Sequence, residues 1–124
     1  MAKHILIIDD QESMLQILSQ TLKDQGYEVT TANNGEEGLS KIKADPQAFN
    51  LILSDVNMPS LNGFELLKQV KESQPRIPVI FCTSMNEDVV VTLGKEFKVD
   101  GVIKKPFEVE DVLKTIAQVI ANNQ

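Results

Sequence analysis

The 124-residue chain has one cysteine and one histidine, and that scarcity removes several chemistries at once. A lone Cys82 excludes an internal disulfide and a Cys-rich zinc site. A lone His4, at the start of an apolar run, leaves no serine or cysteine triad to assemble. Positive charge is also in deficit: 12 Lys and Arg against 18 Asp and Glu give a net charge of −6. Non-specific nucleic-acid binding and attachment to an anionic membrane both need a cationic face, so neither is expected. No glycine-rich loop of the Walker or dinucleotide type occurs. Long hydrophobic runs are missing as well. The first, Ile5-Leu6-Ile7-Ile8, is too short for a signal peptide or a membrane span. Low-complexity segments and linkers are absent too, while hydrophobic residues at 42% and charged residues at 24% match an ordinary globular chain. The expectation is one cytoplasmic domain over residues 1–124, large enough to fold around its own core.

What is present is an alternation of apolar runs with helix-period segments. Ile5 to Ile8 end at Asp9-Asp10. Met14, Leu15, Leu18 and Leu22 then follow at helical spacing, with Gly26 as C-terminal stop. Tyr27 to Ala32 make a strand of mixed polarity. Asn33-Asn34-Gly35 form a turn into a helix through Leu39 and Ile42 that ends before Pro46. Leu51-Ile52-Leu53 lead to Ser54-Asp55. Asn62 is placed to cap a helix carrying Phe64, Leu67 and Val70. Pro78 opens a strand through Cys82, and Asn86 caps a helix with Val90, Leu93 and Phe97. Gly101-Val102-Ile103 form a short fifth strand, and Pro106 opens a last helix with Val109, Val112, Leu113, Ile116 and Ile120 in register. This is an α/β chain of (βα)5 type, a doubly wound parallel five-stranded sheet. Strands two and five are the more polar or shorter ones and belong at the edges, which supports the order 2-1-3-4-5.

In such a sheet, ligands bind beyond the carboxyl ends of the strands, where the strand order reverses. The residues that follow the strands are Asp9-Asp10, Asp55, Thr83-Ser84 and Lys104-Lys105. Asp9, Asp10 and Asp55 therefore share one pocket, with Thr83 and a lysine on its other side. Carboxylates that close together repel unless a cation compensates. Oxygen-only ligation favours a hard ion such as Mg²⁺. The set suits phosphoryl transfer to a carboxylate nucleophile.

With those segments in order, Ile7-Ile8-Asp9-Asp10, Leu53-Ser54-Asp55-Val56-Asn57-Met58-Pro59, Phe81-Cys82-Thr83-Ser84 and Lys104-Lys105-Pro106-Phe107, the chain resembles the receiver domains of two-component response regulators, the CheY-like family. The resemblance covers the whole chain and corresponds to the stand-alone type with no separate output domain. It implies that Asp55 is the phosphoacceptor for a sensor histidine kinase or phosphotransfer protein. It also implies that Asp10, Asp55 and the backbone carbonyl of Asn57 ligate Mg²⁺, for which Mn²⁺ can substitute, with Asp9 reaching the ion through water. Thr83, the Ser84 backbone and Lys105 would hold the phosphoryl group, and the Lys105-Pro106 peptide would be cis. Val102 stands where many receivers carry a switch aromatic. Lys98-Val99 replaces a common Gly-Ala pair, and Gly38 weakens the second helix by up to about 1 kcal/mol if interior.

The resemblance further implies a signalling protein rather than an enzyme, monomeric, with dimerisation on phosphorylation left open. Its downstream protein target would dock on the fourth helix, fifth strand and fifth helix, where one valine of Val89-Val90-Val91, Val91 by resemblance, is exposed. Taken singly, each residue has a plainer role. Asp9-Asp10 could cap the first helix, Thr83 could be a strand-end hydroxyl, the lysines a solvated pair, Cys82 a buried hydrophobe and His4 a surface residue. Two rival functions remain, a degenerate receiver that only binds proteins and an aspartyl-phosphate phosphatase of the haloacid dehalogenase type. The latter needs an acid where Asn57 stands.

Overall fold

The computed structural model describes residues 2–93 and 98–123, and the backbone but not the side chain of Leu93. Among the described residues, ten elements alternate strictly. They are β1 His4–Ile8, α1 Glu12–Asp24, β2 Glu28–Ala32, α2 Gly35–Ala44, β3 Leu51–Ser54, α3 Gly63–Ser73, β4 Val79–Thr83, α4 Glu87–Leu93, β5 Gly101–Lys104 and α5 Val109–Asn122. The strands form one sheet in the order β2-β1-β3-β4-β5, and every neighbouring pair is parallel. The polar and short strands take the edges, as expected.

Because side chains alternate along a strand, the sheet feeds two cores. Leu6, Ile8, Ile52, Val79 and Phe81 pack with Leu39, Ile42, Leu66, Leu67 and Val70 from α2 and α3, joined by Val90 of α4. Ile5, Ile7, Leu51, Leu53, Ile80 and Cys82 pack with Leu15, Leu18, Leu22, Val112, Ile116 and Val119 from α1 and α5. Buried on both faces, the central strands must be apolar throughout, which is what their sequences show.

The helix ends follow local chemistry. Gly26 has φ +90°. Its N–H donates to Lys23 O at 3.0 Å, and that of Tyr27 to Leu22 O at 3.1 Å. This paired closure needs a left-handed residue after the cap. Asn62 and Glu65 form a reciprocal capping box on α3. Asn34 accepts from Glu37 N–H at 2.7 Å, and Asn86 accepts from Asp88 N–H at 2.8 Å.

Five expectations are revised. The last helix begins at Val109 behind an extended Glu108 rather than at Pro106, and the half-buried Phe107 between them packs against the α1–α5 core. The buried stripe of α5 is Val112, Ile116 and Val119. Val109 is exposed, and Leu113 and Ile120 are only half-buried. His4 is half-buried rather than at the surface: its Nε2 lies 2.7 Å from Thr30 Oγ1, and its ring packs edge-on against Phe49. Gly38 is a packing residue, since a Cβ there would overlap Ile8 Cδ1 and lie 2.9 Å from Ile8 Cγ1. Of the α4 positions, Val90 is buried while both Val89 and Val91 are exposed. Phe97 lies outside the described residues. No described helix is long and apolar enough to cross a membrane.

Candidate functional site

Backbone bonds beyond the strand ends carry the ladder one residue further and set the site residues side by side. Asp9 N–H donates to Ala32 O at 3.2 Å, Asp55 N–H to Ile8 O at 2.9 Å and Lys105 N–H to Thr83 O at 2.8 Å. Asp9 and Asp55 thus emerge from adjacent strands, and Lys105 emerges one strand beyond β4. Carboxylate oxygens of Asp9, Asp10 and Asp55 all lie within 4.8 Å of one another.

The three acids sit in different surroundings. Asp9 is buried. Its Oδ1 accepts from Gln11 N–H at 2.9 Å, and its Oδ2 accepts from Lys105 Nζ at 3.1 Å. Asp55 is half-buried, with Oδ1 accepting from Val56 N–H at 2.7 Å and Oδ2 3.6 Å from Lys105 Nζ. Asp10 is exposed. The capping role considered for Asp9-Asp10 is not used, since α1 starts behind Gln11 with no side-chain cap.

Strand alternation decides between the two lysines. Lys105 turns inward to bridge Asp9 and Asp55, whereas the exposed Lys104 donates to Ser84 O at 2.7 Å. Burial raises the Asp55 pKa above its ordinary value; Lys105 opposes the rise, Asp9 and Asp10 add to it, and the Val56 N–H works against it. For Lys105, burial pushes the pKa down, but the Asp9 hydrogen bond and the charges of Asp55 and Asp9 outweigh it, so the ammonium stays protonated. The same surroundings act on Cys82, whose thiol is pushed up to about 12, chiefly by burial. It is a buried hydrophobe, as its position on a central strand implied.

Thr83 is fully buried. Its Oγ1 accepts from Met85 N–H at 3.1 Å, which leaves the hydroxyl proton free to donate elsewhere. Ser84 and Asn57 are exposed, and Val102 is half-buried on β5, packed against the core that includes Val90. The Lys105-Pro106 peptide is cis. Two features of the site carried no usable sequence signal. Ser54 Oγ donates to Asp55 O at 2.8 Å, bracing the backbone at Asp55. Gly63 lets α3 approach that same turn, where a Cβ would meet Asp55 O at 2.7 Å.

Three clustered carboxylates against one ammonium leave a local formal charge of −3 + 1 = −2. An oxygen-only donor set with that deficit fits a hard divalent cation. No histidine or thiolate in the cluster would favour a softer one.

The family model described as the response regulator receiver domain matches residues 5–117. The alkaline phosphatase synthesis transcriptional regulatory protein PhoP of Bacillus subtilis is 34% identical over 124 residues, covering 100% of this chain and 51% of that protein. A CpxR homolog of Haemophilus influenzae is 35% identical over 116 residues, 94% of this chain and 49% of its own length. The chain thus spans about half the length of these curated relatives. Among solved structures, the chemotaxis response regulator CheY4 of Vibrio cholerae superposes with a TM-score of 0.88 at 37% identity, covering 96% of this chain and 99% of that one. A receiver domain protein of Methanospirillum hungatei gives 0.90 at 32%, covering 99% and 97%.

Proposed function

The chain belongs to the response regulator receiver family, and on that premise we propose that Asp55 accepts a phosphoryl group from a phosphohistidine donor in a Mg²⁺-dependent reaction. The observation that carries this reading is the Lys105 ammonium held between Asp9 and Asp55, at 3.1 and 3.6 Å, beside three grouped carboxylates. An Asp55 oxygen attacks phosphorus, the P–N bond of the donor breaks, and the departing imidazole keeps the bond pair and takes up a proton. Asp10, Asp55 and the Asn57 carbonyl would hold Mg²⁺, with Asp9 reaching it through water. When bound, the ion supplies positive charge to the phosphoryl oxygens and offsets the carboxylates.

Lys105 pairs with the phosphoryl group once Asp55 carries it as an acyl phosphate, exchanging one anionic partner for another. Thr83 has its hydroxyl proton to offer, and the Ser84 N–H is a second donor. These new bonds favour a conformation otherwise sparsely populated, and the chain acts as a switch rather than as an enzyme with a separate substrate. In this reading residues 1–124 act as the receiver, in the cytoplasm. The output is passed to a protein partner through the face formed by α4, β5 and α5, where Val89 and Val91 are exposed and Val102 replaces an aromatic.

Incubation with acetyl phosphate and Mg²⁺, followed by intact-mass measurement, tests the reading. Wild type gains one phosphoryl group and Asp55→Ala gains none. An unmodified wild type would identify a receiver that only binds proteins and would overturn the proposal.

A further inference from the structure

At the opposite pole of the sheet, the residues that precede the strands form a cleft of about 210 Å³. Its polar lining is Lys3, Arg76, Asn50 and Asn123, over an apolar floor that includes Phe49, Ile77 and Ile120. Asn50 and Asp55 bracket β3, so five residues of extended chain, about 16 Å, separate this cleft from the acidic cluster. In a chain carrying −6, a concavity with a lysine, an arginine and no carboxylate among its described lining residues is a local reversal of sign.

The donors are also oriented. Asn50 Oδ1 accepts from His4 N–H at 2.8 Å, which leaves its amide NH₂ as the group it can offer. Arg76 Nη2 donates to Pro46 O at 3.2 Å, fixing one edge of the guanidinium and leaving further donors. Lys3 has no ion-pair partner among the described residues. Asn123 Nδ2 donates to Val119 O at 2.8 Å, which leaves its carbonyl oxygen able to accept. The lining thus combines a guanidinium, an ammonium and an amide with Phe49 and two isoleucines.

We propose that this cleft binds a small organic carboxylate with an apolar body, of about the size of an aromatic acid. The guanidinium fork matches a carboxylate. The volume lies below the usual range of about 300–1,000 Å³ for drug-sized ligands but above the roughly 150 Å³ that holds benzene. The site is independent of phosphoryl transfer, which it neither uses nor supports.

The test is an NMR titration of the ¹⁵N-labelled chain with benzoate, with benzamide and inorganic phosphate as parallel arms. Benzoate should give saturable shifts confined to the amides of Lys3, Asn50, Ile77 and residues 119–123, and bind at least tenfold more tightly than benzamide or phosphate. Arg76→Gln, at an exposed position, should weaken benzoate binding about tenfold. Ile120→Trp, which fills the cleft, should abolish it, and Asp55→Asn should leave it unchanged. No saturable shift, equal binding of benzamide, tighter binding of phosphate, or an unaltered Arg76→Gln affinity would each overturn the proposal.

Discussion

Replacing Asp55 by Asn should stabilise the metal-free protein at neutral pH, although it removes a charge that faces a lysine. The charge terms nearly cancel. Lys105 Nζ lies 3.6 Å from Asp55 Oδ2, an attraction of about 4.6 kcal/mol at an effective dielectric of about 20. Asp9, within 4.8 Å, repels by about 3.5 kcal/mol on the same scale. The exposed Asp10 adds about 1 kcal/mol through water. What remains is burial of the charge itself, the largest influence on this carboxyl, and Asn does not incur it. The Asn carbonyl can keep the Val56 N–H bond. The expected gain is about 1–2 kcal/mol, or about 3–8 °C in Tm for a domain of this size.

The pH dependence carries the same sign. The folded-state pKa of Asp55 lies above its ordinary value, so the folded chain holds this proton more tightly than the unfolded one. The resulting penalty is present above the folded pKa and is relieved as pH falls through it. Lowering the pH should therefore narrow the gap between Asn variant and wild type. Mg²⁺ at ten times its Kd should stabilise wild type by about 1.4 kcal/mol and the variant by less. Urea denaturation with and without Mg²⁺ measures all three. An Asn variant less stable than wild type in the absence of metal would show that Asp55 stabilises the metal-free fold, and an equal Mg²⁺ response in both would show that its carboxylate does not hold the ion.

Lys105→Met should leave the buried Asp9 charge with the Gln11 N–H alone, costing about 2–4 kcal/mol without metal. Its Mg²⁺-induced stabilisation, measured by thermal melting, should exceed that of wild type. Cys82, its thiol raised to about 12, should resist alkylation at pH 8 in the folded protein and react once urea unfolds it, as mass spectrometry would show. Gly38→Ala should gain about 1 kcal/mol of helix propensity but lose about 1–3 kcal/mol to overpacking on Ile8. The net loss of about 1 kcal/mol in urea denaturation should shrink when Ile8→Val removes the overlapping methyl.

The parts of the fold legible in the sequence were those governed by local rules. Apolar runs ending in Asp9, Asp55 and Thr83 marked the central strands and the side of the sheet where polar groups converge. The turn at Asn33-Asn34-Gly35 and the caps at Asn62 and Asn86 marked three helix starts. Features that depend on packing between distant segments were not legible. Gly38 reads as a weak helix residue until α2 is laid on Ile8. Pro106 reads as a helix opener, whereas the helix starts only behind an extended Glu108, with Phe107 packed against the α1–α5 core. The choice between Lys104 and Lys105 depends on which one the strand alternation turns inward, and spacing alone left it open. The cleft at the opposite pole draws on four separate chain segments, so no motif announces it.

Reductive trapping asks whether Asp55 itself carries the phosphoryl group. Borohydride converts an aspartyl phosphate to homoserine, which peptide sequencing by mass spectrometry locates. After acetyl phosphate and Mg²⁺, homoserine is expected at position 55 and nowhere else. Homoserine at Asp9 or Asp10, or a phosphoryl group that survives on a histidine, serine or threonine, would contradict it.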